Sequence, residues 1–247
     1  MNMSTDTEIQ SPHSTNEFER QYIKLRQHEN RVYTDDEVAW LPEINKDHVH
    51  SKEWTIRKRS SRKLVRYLSN KNCPLKILEV GCGNGWLSFQ LSQIPFSTVT
   101  AVDINLLELR QAERVFAGVS NLSFIYGDIH TDVLAAAKFD IVVFAASIQY
   151  FNSLHDTLHV VLDLLTENGE IHIIDSHFYN QEQAKKAAYR SRQYFHNNGF
   201  DKMQDFYFHH SIEQLKKFHC SFFYKPDSII TKILRKKHPF HWVCIRK

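Results

Sequence analysis

The sequence predicts an α/β fold: a doubly wound, mostly parallel sheet of seven strands with an antiparallel last strand, preceded by a helical extension. Three observations predict it. From Pro74 onward strand and helix patterns alternate, which implies a parallel sheet with crossover helices. The central strand segments are continuous apolar runs, as burial on both faces requires. The first strand leads directly into a glycine-rich turn that opens a helix, and the second ends on Asp103.

Residues 1–16 are rich in Ser, Thr, Asn and acids, and disorder is expected there. Phe18, Tyr22 and Leu25 stand at helical spacing and predict an amphipathic helix over 17–30. Residues 32–50, around Trp40, Leu41 and Pro42, read as irregular. Ser51 is the expected N-cap of a helix to residue 69, with Trp54, Ile56, Leu64, Val65 and Leu68 as its apolar residues. Its Lys52, Arg57, Lys58, Arg59, Arg62, Lys63 and Arg66 read as a solvated face rather than a nucleic-acid surface.

Residues 71–247 form the expected α/β domain. Strands are predicted at 76–80, 98–102, 122–126, 139–145 and 170–175. Leu87, Leu91 and Ile94 mark the first crossover helix. Asn105 and Glu108 form a capping-box pattern for the second, ending near Gly118. Ser153 opens a helix carrying Leu154, Leu158, Val161, Leu162 and Leu165, stopped by Asn168-Gly169. A polar helix is expected over 181–197, and Ser211-x-x-Gln214 is a capping box for a short one. Strands 220–224 and 240–245 remain, with a short helix between them at 229–234, and they are free to pair antiparallel.

The hydrophobic share of 42% and charged share of 24% are ordinary for a globular chain, and a net charge of +3 argues for neither nucleic acid nor membrane as partner. None of the four cysteines, Cys73, Cys82, Cys220 and Cys244, stands in a C-x-x-C pair; they read as reduced thiols of a cytoplasmic protein. The N-terminal residues lack a signal-peptide pattern, and no segment has the ~18 consecutive apolar residues of a membrane span.

In a doubly wound sheet ligands bind at the carboxyl ends of the strands, near the point where strand order reverses. Gly81-Cys82-Gly83-Asn84-Gly85 lies at such an end, and its glycines permit a tight turn and close backbone approach. Asp103 follows Gly81 by 22 residues, where a carboxylate can accept from both hydroxyls of a ribose. A nucleoside ligand is implied. The third glycine comes one residue earlier than in the dinucleotide fingerprint G-x-G-x-x-G.

Leu78-Glu79-Val80-Gly81-Cys82-Gly83-Asn84-Gly85 resembles the first motif of class I S-adenosylmethionine-dependent methyltransferases, whose fold is Rossmann-like. Ala101-Val102-Asp103-Ile104, Gly127-Asp128-Ile129, the run from Phe139 to Ala145 and Glu167-Asn168-Gly169-Glu170 resemble, in order, their later motifs. The resemblance covers residues 74–178 and is nearest the small-molecule type, similar to the type 11 and type 12 families.

It implies that S-adenosylmethionine is the cofactor. Gly81, Cys82 and Gly83 would border its methionine part, and Glu79 would orient the loop. Asp103 would hold the ribose, Ile104 would pack on the adenine, Asp128 and the Ile129 amide would bond it, and Ala145 would meet the sulfonium end. It also implies that residues 17–70 form a lid, whose Tyr22 and Trp54 are candidate acceptor contacts. Tyr150 and His177, just past the fourth and fifth strands, are candidates for acceptor binding and for a general base.

No His, Cys and carboxylate set has metal-ligand spacing, and Ala145-Ala146-Ser147-Ile148 offers neither the acids of metal-dependent catechol methyltransferases nor the Asn/Asp-Pro-Pro-Tyr of adenine and glutamine methyltransferases. The expected acceptor is a small molecule with an oxygen or nitrogen nucleophile. A protein or RNA methyltransferase, or a non-catalytic binding subunit of the same fold, are the alternatives. Acceptor identity, general base and oligomeric state are left open by the sequence.

Overall fold

The computed structural model describes residues 13–134, 136–226 and 238–247. Residues 1–12, most of the segment expected to be disordered, and the helix expected at 229–234 lie outside the described residues.

Seven strands form one sheet: β1 Leu75–Val80, β2 Ser97–Asp103, β3 Leu122–Tyr126, β4 Phe139–Ala145, β5 Leu165–Ser176, β6 His219–Tyr224 and β7 His241–Arg246. Their order is β3-β2-β1-β4-β5-β7-β6. The first five are mutually parallel, and β7 runs antiparallel to both β5 and β6. The chain leaves β1 toward β2 and β3, then returns to β4 on the other side, so the order reverses at the carboxyl ends of β1 and β4.

Period-2 alternation divides the core in two. Leu78, Val80, Val142 and Phe144 face one layer, which helix α6 (Leu154–Leu164) covers with Leu154, Leu158 and Val161. Ile77, Ile141 and Val143 face the other, beneath α4 (Trp86–Ser92) and α3 (Ser51–Ser69). Leu64 and Leu68 of α3 are fully buried there, so this basic helix is built into the sheet face. Its Lys52, Arg59, Arg62, Lys63 and Arg66 are exposed as expected, but Arg57 turns inward to Glu53 at 2.9 Å.

Several boundaries differ from expectation. Helix α1 (His13–His28) begins ahead of residue 17. The stretch 32–50 is not wholly irregular: Thr34 and Glu37 form a capping box that opens α2 (Asp35–Trp40). Ser51 is not the cap of α3; His50 holds that position without a side-chain bond, and Ser51 is the first helical residue. In α5 (Leu106–Val115), which ends before Gly118, Asn105 Oδ1 accepts from the Glu108 amide. The reciprocal bond is absent, because the Asn105 amide is taken by Asp103 Oδ1 at 2.7 Å.

Helix α6 ends at Leu164, not at Asn168-Gly169; β5 starts at once, with a register shift where it first meets β4. Helix α7 (Gln181–Asn197) and the Ser211–Gln214 box, which opens α8 (Ile212–Leu215), form as expected. No helix among the described residues is long and apolar enough to cross a membrane.

Candidate functional site

The turn after β1 uses the backbone freedom of glycine three times. Gly81, Gly83 and Gly85 have φ of 73°, 54° and 73°, the left-handed region that side chains disfavour. The Gly81 and Cys82 amides donate to Val102 O at 2.9 and 3.2 Å, which ties the turn to the end of β2. Asp103 completes the junction: its Oδ2 accepts from the Gly83 amide at 2.6 Å. Burial raises its carboxyl pKa, opposed by the backbone donors of Gly83, Asn105 and Ile104.

Three connected spaces open at these strand ends. The first, about 470 Å³, is lined by Gly81, Gly83, Asp103, Ile104, Asp128 and Ile129. The structure thus brings together six of the nine expected cofactor residues in one crevice at the switch point. Asp128 Oδ1 accepts from the backbone amide and from Nδ1 of His130, both at 2.9 Å. Ile129 is 4% exposed and its side chain belongs to the core.

The other three border a small chamber of about 90 Å³ beneath the turn. Glu79 is 2% exposed and accepts from the Ser88 hydroxyl. Burial pushes its carboxyl up to about 8, against the bond from Ser88. The Cys82 side chain packs with Ala101 and Leu109, so its backbone is what the chamber meets. Ala145 ends β4, and Ala146 after it is a left-handed non-glycine residue with φ 54°.

The third space, about 480 Å³, lies over β4 and β5 between α1, α3 and α7. Ala146 and Tyr150 line all three spaces and form their junction. Tyr22 of α1 meets the Tyr150 ring edge-on at 5.4 Å and walls the first and second. His177 lines the third, against the Phe240 ring at 4.6 Å, and is not in the crevice with Asp103. Trp54 is 4% exposed, donates to Tyr33 Oη at 2.8 Å and packs edge-on against Trp86. It reaches the small chamber but not the third space.

Residues not singled out from the sequence complete this third space. Arg26, Arg31, Arg57 and Arg190 line it, with Asp175 at the end of β5. Asp175 has φ 55°, accepts from Ser60 at 2.7 Å through Oδ2, and has a buried Oδ1 with no hydrogen bond. Burial lifts its carboxyl to about 6, with the Ser60 bond opposing. Two signals were available: Asp175 is a strand-end carboxylate like Asp103, and Phe18, Tyr22 and Arg26 recur at every fourth position of one helix face.

The described residues also hold Glu170, His172 and Cys244, whose donor atoms lie within 4.8 Å of one another. Glu170 is already paired with Lys71 at 2.9 Å and Arg246 at 3.1 Å, and these two cations oppose a third.

A stability prediction follows from the buried acids. Glu79 has a folded pKa of about 8 against an ordinary 4.5, and Glu108 one of about 7, burial leading in each. A raised carboxyl contributes stability that is full below its unfolded pKa and is lost as pH rises through its folded pKa. These two acids are therefore expected to lower the melting temperature progressively from pH 5 to pH 8, against the histidines His172, His209, His210 and His238, whose burial-lowered pKa makes stability rise with pH over the lower part of that range. Glu79→Gln should flatten that slope and melt above the wild type at pH 8. Thermal melts across this range check both statements.

The sequence matches the profile of a family described as a methyltransferase domain over residues 71–237. Among curated proteins it is 31% identical over 123 residues to malonyl-acyl-carrier-protein O-methyltransferase of Halalkalibacterium halodurans. That match covers 46% of this chain and 45% of the relative, so the chain spans less than half the relative's length. It is 27% identical to the ribosomal RNA small subunit methyltransferase C of Buchnera aphidicola, over 49% of this chain and 37% of that one.

Among solved structures, the plantazolicin methyltransferase BpumL in complex with a monoazolic desmethylPZN analog and SAH has the same fold, with a TM-score of 0.56, 15% identity and coverage of 95% and 98% of the two chains. The YcgJ protein from Bacillus subtilis matches at TM-score 0.56 and 14% identity, over 76% and 96%.

Proposed function

The chain belongs to the methyltransferase domain family, and on that premise we propose that it transfers the methyl group of S-adenosylmethionine to an oxygen or nitrogen nucleophile of a small acceptor. One observation carries this reading: the Gly81–Gly83 turn, bonded to Asp103, shares a crevice with Asp128 at the point where strand order reverses.

In this reading Asp103 accepts from the ribose hydroxyls and Ile104 packs on the adenine. Asp128 receives the adenine amino group through Oδ2, since Oδ1 is engaged by His130, and the Ile129 amide faces the ring. The methionyl end occupies the small chamber, where Gly81, Cys82 and Gly83 present backbone and Glu79 steadies the turn behind it. Ala145 and Ala146 border the sulfonium end, and the acceptor fills the third space, whose volume lies within the ~300–1,000 Å³ usual for small-molecule sites.

The cofactor supplies an activated methyl group, so the protein's task is alignment, which is worth up to ~7–11 kcal/mol. Tyr150, at the junction, is placed to hold the acceptor against that methyl. His177 and Tyr22 border the acceptor and cofactor spaces respectively, and Trp54 supports the chamber wall. The acceptor space is bordered by α1, α3 and α7, and its volume of about 480 Å³ supports a small molecule over a polymer.

Calorimetry with S-adenosylmethionine and S-adenosylhomocysteine tests the proposal. Saturable binding at micromolar concentration is expected; no heat at millimolar cofactor would remove the reading.

A further inference from the structure

We propose that Arg26 and Glu108 together hold the amino-acid end of the cofactor, the guanidinium taking its carboxylate and the Glu108 carboxylate its ammonium, so that the chamber selects a zwitterion and disfavours a nucleoside without one. Arg26 stands on α1 and Glu108 on α5, outside the glycine turn and the strand ends. This deepens the methyl-transfer reading above and rests on it.

Arg26, Arg31 and Arg57 line the small chamber together with Glu53, Glu79 and Glu108. Most of these charges are already engaged. Glu53 pairs with Arg31 at 2.7 Å and with Arg57 at 2.9 Å. Arg31 also lies 3.0 Å from Glu29. Glu79 is 2% exposed and accepts from the Ser88 hydroxyl, and burial pushes its carboxyl up to about 8.

Arg26 and Glu108 are what remains. Arg26 makes no ion pair among the described residues: its guanidinium lies over the Tyr22 ring at 5.1 Å, and its Nε is buried with no hydrogen-bond partner. Glu108 accepts from the Asn105 side chain at 3.0 Å through Oε2 and likewise makes no ion pair among the described residues. One cation and one anion thus border the same chamber without closing on each other. A buried charge without a partner is costly, so each gains most from a ligand group of opposite sign.

An α-amino acid supplies both signs on one carbon. A lone anion would answer Arg26 and leave Glu108 unpaired, and a lone cation would do the reverse. A zwitterion answers both, with a charge-assisted bond at each end, and leaves the net charge of the chamber unchanged. The placement agrees. A Cβ on Gly83 would meet Glu108 Oε2 at 3.2 Å, so this carboxylate lies against the turn that the methionyl end follows. The Arg26 guanidinium stays charged at any working pH and reaches the same chamber from the N-terminal extension, adding an ionic tie between α1 and the cofactor.

The test is calorimetry at pH 8, above the value of about 7 to which burial pushes Glu108. The probes are S-adenosylhomocysteine, its decarboxylated analogue, its deaminated analogue, and 5′-methylthioadenosine, which lacks the amino-acid end. On the wild type, loss of either charged group is expected to weaken binding roughly tenfold or more, and loss of both roughly a hundredfold. Arg26→Met should weaken S-adenosylhomocysteine roughly tenfold or more and leave the decarboxylated analogue unweakened. Glu108→Gln should weaken S-adenosylhomocysteine similarly and leave the deaminated analogue unweakened. The wild-type series stands even where a variant fails to fold.

A wild type that binds the decarboxylated or the deaminated analogue as tightly as S-adenosylhomocysteine would overturn the proposal. So would a variant that weakens S-adenosylhomocysteine and its own truncated analogue equally, since such a loss is structural and not a lost contact. 5′-Methylthioadenosine separates the two possible failures. If it binds as tightly as S-adenosylhomocysteine, the nucleoside crevice stands and the clamp falls. If neither binds, the methyl-transfer reading falls and takes the clamp with it.

Discussion

Asp103→Ala is expected to lower the affinity for S-adenosylhomocysteine by roughly a hundredfold or more, the equivalent of two charge-assisted hydrogen bonds at ~1.5–3 kcal/mol each. The size follows from the double use of one carboxylate. In the ligand-free protein its oxygens already hold the Gly83 and Asn105 amides, at 2.6 and 2.7 Å. Each oxygen has a second lone pair, and in the proposed reading those accept from the ribose hydroxyls. In that reading alanine removes the ribose contacts, and it also releases the Gly83 amide and with it the turn.

Asp103→Asn separates the two effects. It keeps the shape but turns one acceptor into a donor that faces a backbone N–H, so its affinity should fall between those of alanine and wild type. Calorimetry reads both variants. An affinity unchanged in Asp103→Ala would take the ribose away from this strand end.

The second large effect is expected from Gly81→Ala. A Cβ at Gly81 would lie 2.5 Å from Ser147 Cβ, and the residue would have to keep φ 73°. Ser147 has little room to yield, because its Oγ donates to Val80 O at 2.6 Å and its neighbour Ala146 is bonded to Ile174 O. A left-handed side chain costs ~1–2 kcal/mol and overpacking ~1–3 kcal/mol, together about 2–5 kcal/mol.

At ~2–4 °C per kcal/mol for a chain of this size, the melting temperature should drop by roughly 5–15 °C. Gly83→Ala is the control: its Cβ would meet only the end of the Glu108 side chain, at 3.2 Å, which can move aside. It should lose less stability than Gly81→Ala while still impairing cofactor binding, since it displaces the amide bonded to Asp103. Equal melting losses in the two variants would mean that strain at φ, not the contact with Ser147, sets the cost.

Signals that lie within a few consecutive residues read well. The apolar runs became β1 to β5, the turn of three glycines adopted left-handed backbone at each, and the Ser211–Gln214 box opened α8. The same signature at Thr34 and Glu37 opens α2, within a stretch that Trp40-Leu41-Pro42 mark as irregular. Ser51 carried a cap residue's chemistry, but the helix starts on it rather than after it.

The sequence by itself determined the sheet, the crevice and the candidate cofactor residues brought together in it, because alternation, glycine spacing and a strand-end carboxylate are local properties that the pleat and the turn convert directly into position. The third space, proposed for the acceptor, was decided by tertiary structure alone. Arg26 comes from α1, Arg57 from α3, Arg190 from α7 and Asp175 from β5, and nothing in their separate neighbourhoods marks them as a set. Arg57 sits in a basic run whose other members are mostly solvated, and only the docking of α3 on the sheet turns it inward. Which groups share that space depends on burial and pairing, and these exist only once the helices have packed.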